Sequence, residues 1–270
     1  MPNLKEIRNR IGSVSSTMQI TSAMKMVSAA KLKKAQDAIT AMRPYSNKLT
    51  QMLVNLSSSI DFENIYLKPR KAENLLVVCI TSNRGLCGAF NSSIIKKCFD
   101  LADNHEGNTS FFCIGKKGAD ILSKNHNVID SNNEIFDELS FEKVSLIAEV
   151  LMKKYTEKEV DSIQIVYNKF KNAATQIVML EQYLPIENTV TENNQKESAD
   201  YIFEPSKIEI ISELIPKSLR TQLFKSIRDS YASEHGARMT AMHKATDNAT
   251  ELRDQLKLTY LQFLVHHLRF

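Results

Sequence analysis

Residues 3 to 56 carry their apolar side chains on a 3.5-residue repeat. One series of sites runs Leu4, Ile11, Met18, Lys25, Leu32, Ile39, Ser46 and Leu53, the other Ile7, Val14, Thr21, Ser28, Ala35, Met42, Leu49 and Leu56. Eleven of these sixteen positions are large and apolar, and Ala35 is small and apolar. Held over about eight heptads, the pattern predicts a coiled-coil helix with a narrow seam. At ~1.5 Å per residue such a helix is roughly 80 Å long, against a globular mean of about 11–12 residues. It has no way to cover its own seam, so a partner must run along it.

The seam is interrupted where Thr21, Lys25 and Ser28 occupy its sites, with Met24, Met26 and Val27 beside them. Over residues 1–48 there are nine basic residues (Lys5, Arg8, Arg10, Lys25, Lys31, Lys33, Lys34, Arg43 and Lys48) against two acidic ones, Glu6 and Asp37. A solvated basic face and an acidic surface wrapped around the coil both account for that surplus.

A chain of 270 residues holds one or two domains, and its ordinary charged and apolar fractions exclude a disordered or fibrous protein. The net charge is only +4, so the basic bias belongs to the first helix. Cys79, Cys87, Cys98 and Cys113 form no CxxC pair, which favours free thiols over disulfides or zinc. The six histidines lack metal-ligand spacing apart from the adjacent His266 and His267, so neither a metal site nor a cofactor is expected. No apolar run reaches the ~18–20 residues of a membrane span. The coil begins almost at the first residue, and the expectation is that no signal or transit peptide precedes it.

The middle of the chain changes character after Pro69. The run LLVVCITS (75–82) is continuously apolar, as in a strand covered on both faces. Helix 91–103, strand 110–115, helices 116–125 and 141–157, strand 162–170 and strand 175–185 follow, the last two joined by a KNAA turn. This alternation predicts a small, mostly parallel sheet with helices on both faces, over about 73–190. The loop Asn83-Arg84-Gly85-Leu86-Cys87-Gly88 lies where a phosphate loop could, but it matches neither GxxxxGK[ST] nor GxGxxG. Cys87 has no histidine nearby in the chain, and no acid–base pair is readable, so no catalytic site is expected.

Residues 186–200 are polar and acidic without periodicity and are expected to form a mobile loop. From 205 a second long helix is predicted, capped by Ser206 with Glu209 three residues on, and kinked or briefly broken at Pro216. Met242, Ala245, Ala249, Leu252, Leu256, Thr259 and Phe263 keep heptad spacing and supply the missing seam. The fold class is therefore α/β, with an antiparallel coiled coil of helices 1–60 and 205–270 joined through a Rossmann-like domain at 73–190.

The segments LKEIRNRIGSVSSTMQITSAMKMVSAAKL, AMRPYSNKL, TSNRGLCGAFN, DYIFEPS, LRTQLFKSI, SEHGARMTAMHKATDNA and LKLTY occur in this order. Together they resemble the gamma-subunit family of bacterial F-type ATP synthases, from residue 2 to about 260. The resemblance implies a non-catalytic central-stalk rotor. Its partners would be the alpha and beta subunits, the epsilon subunit and the c ring, with no cofactor. It would sit peripherally on the cytoplasmic side of the inner (plasma) membrane. It also implies that Met24, Lys25, Met26 and Arg238 contact beta, and that Asp200, Tyr201 and Glu204 face the c ring and epsilon.

Past Tyr260 the sequence LQFLVHHLRF departs from the family's pattern, with Leu264 and Val265 where the family has Arg and Gln. The expectation is a shifted reading frame or a truncation that alters the upper beta contacts. Two rival readings start from the same residues. One is a basic coiled-coil protein binding nucleic acid, which the belt allows without any reader motif. The other is a small α/β enzyme using the Asn83–Gly88 loop.

Overall fold

The computed structural model describes residues 4–57, 65–68, 70–186 and 207–268. Helix α1 spans Leu4–Ser57 and helix α5 spans Lys207–Leu268. Between them lie β1 (Asn74–Ile80), α2 (Phe90–Asn104), β2 (Asn108–Ile114), α3 (Lys116–Leu122) and β3 (Asn127–Asn132). Helix α4 (Phe141–Thr156), β4 (Ser162–Phe170) and β5 (Gln176–Leu184) complete the set.

The strands form one sheet in the order β3-β2-β1-β4-β5. The first four are parallel and β5 is antiparallel to β4. In β1 the side chains divide by parity. Leu76, Val78 and Ile80 face one layer, made of α4 (Val144, Leu151, Tyr155) and the first half of α5 (Ile215, Leu219, Leu223, Ile227). Leu75, Val77 and Cys79 face the other layer, made of α2 (Phe90, Ile94, Cys98) and Leu122 of α3. Every residue of β1 after Asn74 is buried, which is why its sequence is apolar without alternation. All four cysteines are buried free thiols.

The heptad seam of α1 is real along its described length. Ile7, Thr21, Ser28, Leu32, Ala35, Ile39, Ser46 and Leu49 are buried, and Leu4, Ile11, Val14, Met18, Lys25 and Met42 are half-buried. The partner is α5, running antiparallel. Thr21 meets Thr246, Met18 meets Arg253, and Leu32, Ala35 and Ile39 pack with Ala232.

The polar seam positions are satisfied rather than defective. The Thr21 and Thr246 hydroxyls lie 2.8 Å apart, and each also reaches a carbonyl one turn back on its own helix. Ser28 Oγ donates to the Met24 carbonyl at 2.8 Å.

Three expectations need correction. Leu252 is 39 % exposed, not on the seam. The other expected residues, Met242, Ala245, Ala249, Leu256, Thr259 and Phe263, are buried or half-buried, as are Thr246, Arg253 and Tyr260 beside them. Pro216 does not break α5, and Pro44 lies within α1 in the same way. A proline leaves the carbonyl four residues earlier without its amide donor. Here those residues, Ser212 and Thr40, are exposed, so water can take the bond. Finally, β3 was not anticipated, because an edge strand with mostly exposed residues carries no apolar run. The Ser206 cap and the 187–200 loop lie outside the described residues.

Candidate functional site

In an open parallel sheet the ligand crevice lies beyond the carboxyl ends of the strands, where successive connections leave in opposite directions. Here that point is between β1 and β4, and α5 plugs it. Ser233 Oγ donates to the Asn168 carbonyl at 2.9 Å, at the end of β4. The Asn168 side chain in turn donates to the Phe90 carbonyl at the start of α2, at 3.0 Å. One turn on, a Cβ at Gly236 would stand 3.2 Å from Ala173 Cα, so glycine permits this close approach of helix and turn. Thr240 Oγ1 donates to the Ala173 carbonyl at 3.0 Å, completing the clamp. The crevice has become a socket for the stalk.

The Asn83–Gly88 loop lies beside this socket and is tightly determined. Asn83 donates to the Asn133 carbonyl at 2.6 Å and accepts from the Lys116 amide at 3.0 Å. Ser82 Oγ donates to the Arg84 carbonyl at 2.7 Å, and its amide donates to Asn91 at 3.0 Å. Leu86 is held at φ 63°, a left-handed conformation that costs a non-glycine residue of order 1 kcal/mol, and it is 66 % exposed. Cys87 is buried, and burial pushes its thiol pKa up. That is the opposite of what a nucleophile needs.

Arg238 ties the loop to the stalk. It is buried, and its guanidinium donates to Glu234 at 2.6 Å, to the Arg84 carbonyl at 3.0 Å and to the Gly85 carbonyl at 3.3 Å. Burial raises the Glu234 carboxyl above its usual range, against the pull of Arg238. Burial also lowers His235 to about 3, with Arg238 and Lys31 adding to the effect, so its imidazole is neutral at pH 7.

The other sequence-picked residues separate by position. Met26 is 65 % exposed on α1, while Met24 and Lys25 are half-buried. Val27 and Ile20 extend the exposed apolar strip at 58 % and 60 %. Lys31, Lys33 and Lys34 are exposed next to it. Thus Met24, Lys25, Met26 and Arg238 do gather at one level of the stalk, but Arg238 spends its guanidinium on its own chain. Asp200, Tyr201 and Glu204 lie outside the described residues. Sequence reasoning missed Glu234 and Leu86. The Glu234–Arg238 spacing of four on one helix was a readable signal; the exposure of Leu86 had none.

The ATP synthase family model matches residues 3–263. The ATP synthase gamma chain of Flavobacterium psychrophilum is 63 % identical over 96 % of this chain and 92 % of its own length. That of Flavobacterium johnsoniae is 64 % identical with the same coverage. Among solved structures, the central stalk and c ring of the Tetrahymena thermophila mitochondrial ATP synthase aligns at 26 % identity and a TM-score of 0.65, over 84 % of this chain and 99 % of that one. The rotor of the Euglena gracilis mitochondrial ATP synthase shares the fold at 21 % identity and a TM-score of 0.72, over 98 % of each chain.

Proposed function

The chain belongs to the ATP synthase gamma-chain family, and from that premise we infer that it is the non-catalytic rotor of the central stalk. It couples ion flow through the membrane sector to ATP synthesis or hydrolysis on the alpha/beta ring. Its partners are the alpha and beta subunits, the epsilon subunit and the c ring. Family membership sets aside the nucleic-acid and small-enzyme readings.

The observation that carries the mechanism is the continuity of α5. Its first half covers the sheet through Ile215, Leu219, Leu223 and Ile227, and its second half is one strand of the shaft. Along α5 no loop intervenes between the domain and the axle. A paired coil resists bending better than one helix, and the socket at Ser233 to Thr240 fixes its base. Torque applied to the domain therefore passes to the shaft through packed side chains.

The working parts are the shaft, made of α1 and the second half of α5, and the α/β domain, which the first half of α5 covers. At the level of Met24 to Met26 the shaft offers beta an apolar strip flanked by lysines, which suits acidic loops. Lys25 and Met26 meet beta directly, Met24 supports them, and Arg238 acts from beneath by holding the loop that presents Leu86. Asp200, Tyr201 and Glu204 face the c ring and epsilon. None of the described helices is long and apolar enough to cross a membrane. Attachment to the cytoplasmic face of the inner membrane runs through the c ring.

The test is charge reversal. With Lys25, Lys33 and Lys34 changed to Glu, the full chain should keep its melting temperature but lose coupled ATP synthesis in the assembled enzyme. The attraction of the wild-type chain to the alpha/beta ring should also fall as salt rises, since exposed charges are screened beyond about 10 Å at 0.1 M. A triple reversal that assembles and couples like the wild type removes the belt from the interface. Failure of the wild-type chain to co-assemble with alpha and beta rejects the rotor reading itself.

A further inference from the structure

A cleft of about 470 Å³ remains between the stalk and the domain, bounded by α1, the Asn83–Leu86 loop, the turn at Phe136 and Asp137, and α5. We propose that it binds a small aryl carboxylate. The loop follows β1 and the turn follows β3, so the cleft lies along the carboxyl edge of the parallel sheet. Open α/β sheets take their ligands at that edge. Although α5 plugs the switch point, it leaves this neighbouring space open. The volume falls within the roughly 300–1,000 Å³ typical of small-molecule sites.

The lining selects the chemistry. Met24, Val27, Leu86 and Phe136 supply apolar walls. Phe136 and Tyr231 stack on each other with ring centroids 6.2 Å apart, and Tyr231 meets the His235 ring edge-on at 4.5 Å, so one wall of the cleft is a continuous aromatic cluster against which an aryl group can pack. Of the charged side chains, Arg238 and Glu234 neutralise each other at 2.6 Å. Lys31 and Arg84 have no ion-pair partner among the described residues, and Asp137 is the one remaining acid in the lining. The cleft is left with a surplus of one positive charge, which fits a monoanion. Its floor is His235, buried, with no hydrogen-bond partner for either ring nitrogen among the described residues. That is an uncommon state for a buried imidazole. The unpartnered imidazole and the unpaired Lys31 and Arg84 side chains have no part in the strut that ties the loop to the stalk.

The probe is 2-naphthoate, titrated into the full-length chain and followed by its fluorescence. Saturable one-to-one binding is expected. The neutral isostere 2-naphthamide and the Lys31→Ala and Arg84→Ala variants should each bind about tenfold more weakly, the scale of one charge-assisted hydrogen bond. Inorganic phosphate, an anion without an apolar body, should not compete. Ala23→Phe places a ring in the cleft from an exposed helical position and should abolish binding without lowering the melting temperature. Absence of saturable binding overturns the proposal. Equal binding of acid and amide overturns its charge argument, and undiminished binding by Ala23→Phe shows that the ligand sits elsewhere.

Discussion

Replacing Arg238 by Ala tests the tie between stalk and loop, and its cost can be worked from the contacts. The substitution removes a 2.6 Å ion pair to Glu234 and two hydrogen bonds to the Arg84 and Gly85 carbonyls. It strands Glu234, which is 8 % exposed, as a buried charge without its partner. Breaking one side of such a pair costs about 3–5 kcal/mol, much more than an exposed bridge contributes.

The carboxyl can escape by taking a proton, and this sets the pH dependence. Glu234 already has its folded pKa raised above the unfolded value. A carboxyl shifted upward gives stability that is fully present below the unfolded pKa and lost as pH rises through the folded one. Removing Arg238 raises the folded pKa further, so the variant's deficit should be largest near pH 8 and shrink toward pH 5. Urea unfolding of wild type and variant across that range measures it. Glu234→Gln combined with Arg238→Met leaves no stranded charge and should recover most of the loss. A deficit under about 1 kcal/mol with no pH trend, or a double variant as unstable as the single one, would refute the strut.

Two further outcomes follow from the seam. Leu32 and Ile39 are about 95 % buried against α5 and the end of β4, so an Asp at either should cost several kcal/mol in thermal or urea unfolding; unchanged stability of both variants would misplace the seam. Thr246→Val removes only the cross-helix contact, since Thr21 keeps its hydrogen bond to the Met18 carbonyl at 3.1 Å, and should cost no more than about 1 kcal/mol in urea unfolding; a loss of several kcal/mol would show that the hydroxyl pair carries the seam.

The shaft was legible because a 3.5-residue repeat is dictated by geometry over the whole of α1, and even its polar sites keep the register. The matching register of α5 was less so. Leu252 looks like a better seam residue than Arg253, but which stripe is covered depends on where α1 lies, not on apolarity. Thr246 is satisfied by Thr21, and Arg253 reaches the Met18 sulfur at 3.4 Å, so polar residues sit there without penalty. The alternation of strands and helices carried the domain, since strands buried on both faces leave continuous apolar runs. The edge strand β3 left none. Arg238 was picked for its likeness to a family motif; its partner Glu234 lies four residues away on the same helix, but the Arg84 and Gly85 carbonyls lie about 150 residues away in the chain and carry no side-chain signature.

These partners also explain why a Rossmann-like domain can serve a rotor. The usual weakness of an open α/β sheet is the crevice at its carboxyl edge, a gap kept for a ligand and therefore free to change shape. Here the Ser233 and Thr240 hydroxyls fill the gap by donating to the Asn168 and Ala173 carbonyls, Gly236 packs closely on Ala173, and Asn168 passes the contact on to α2. Filling it with the shaft itself converts a ligand site into a joint. Both layers of the domain then bear on one helix, α4 and the sheet through Ile215 to Ile227 and the α2 layer through Ala237. A joint gripped from both faces of a sheet cannot swing about either face alone, so rotation of the domain and rotation of the shaft are one motion.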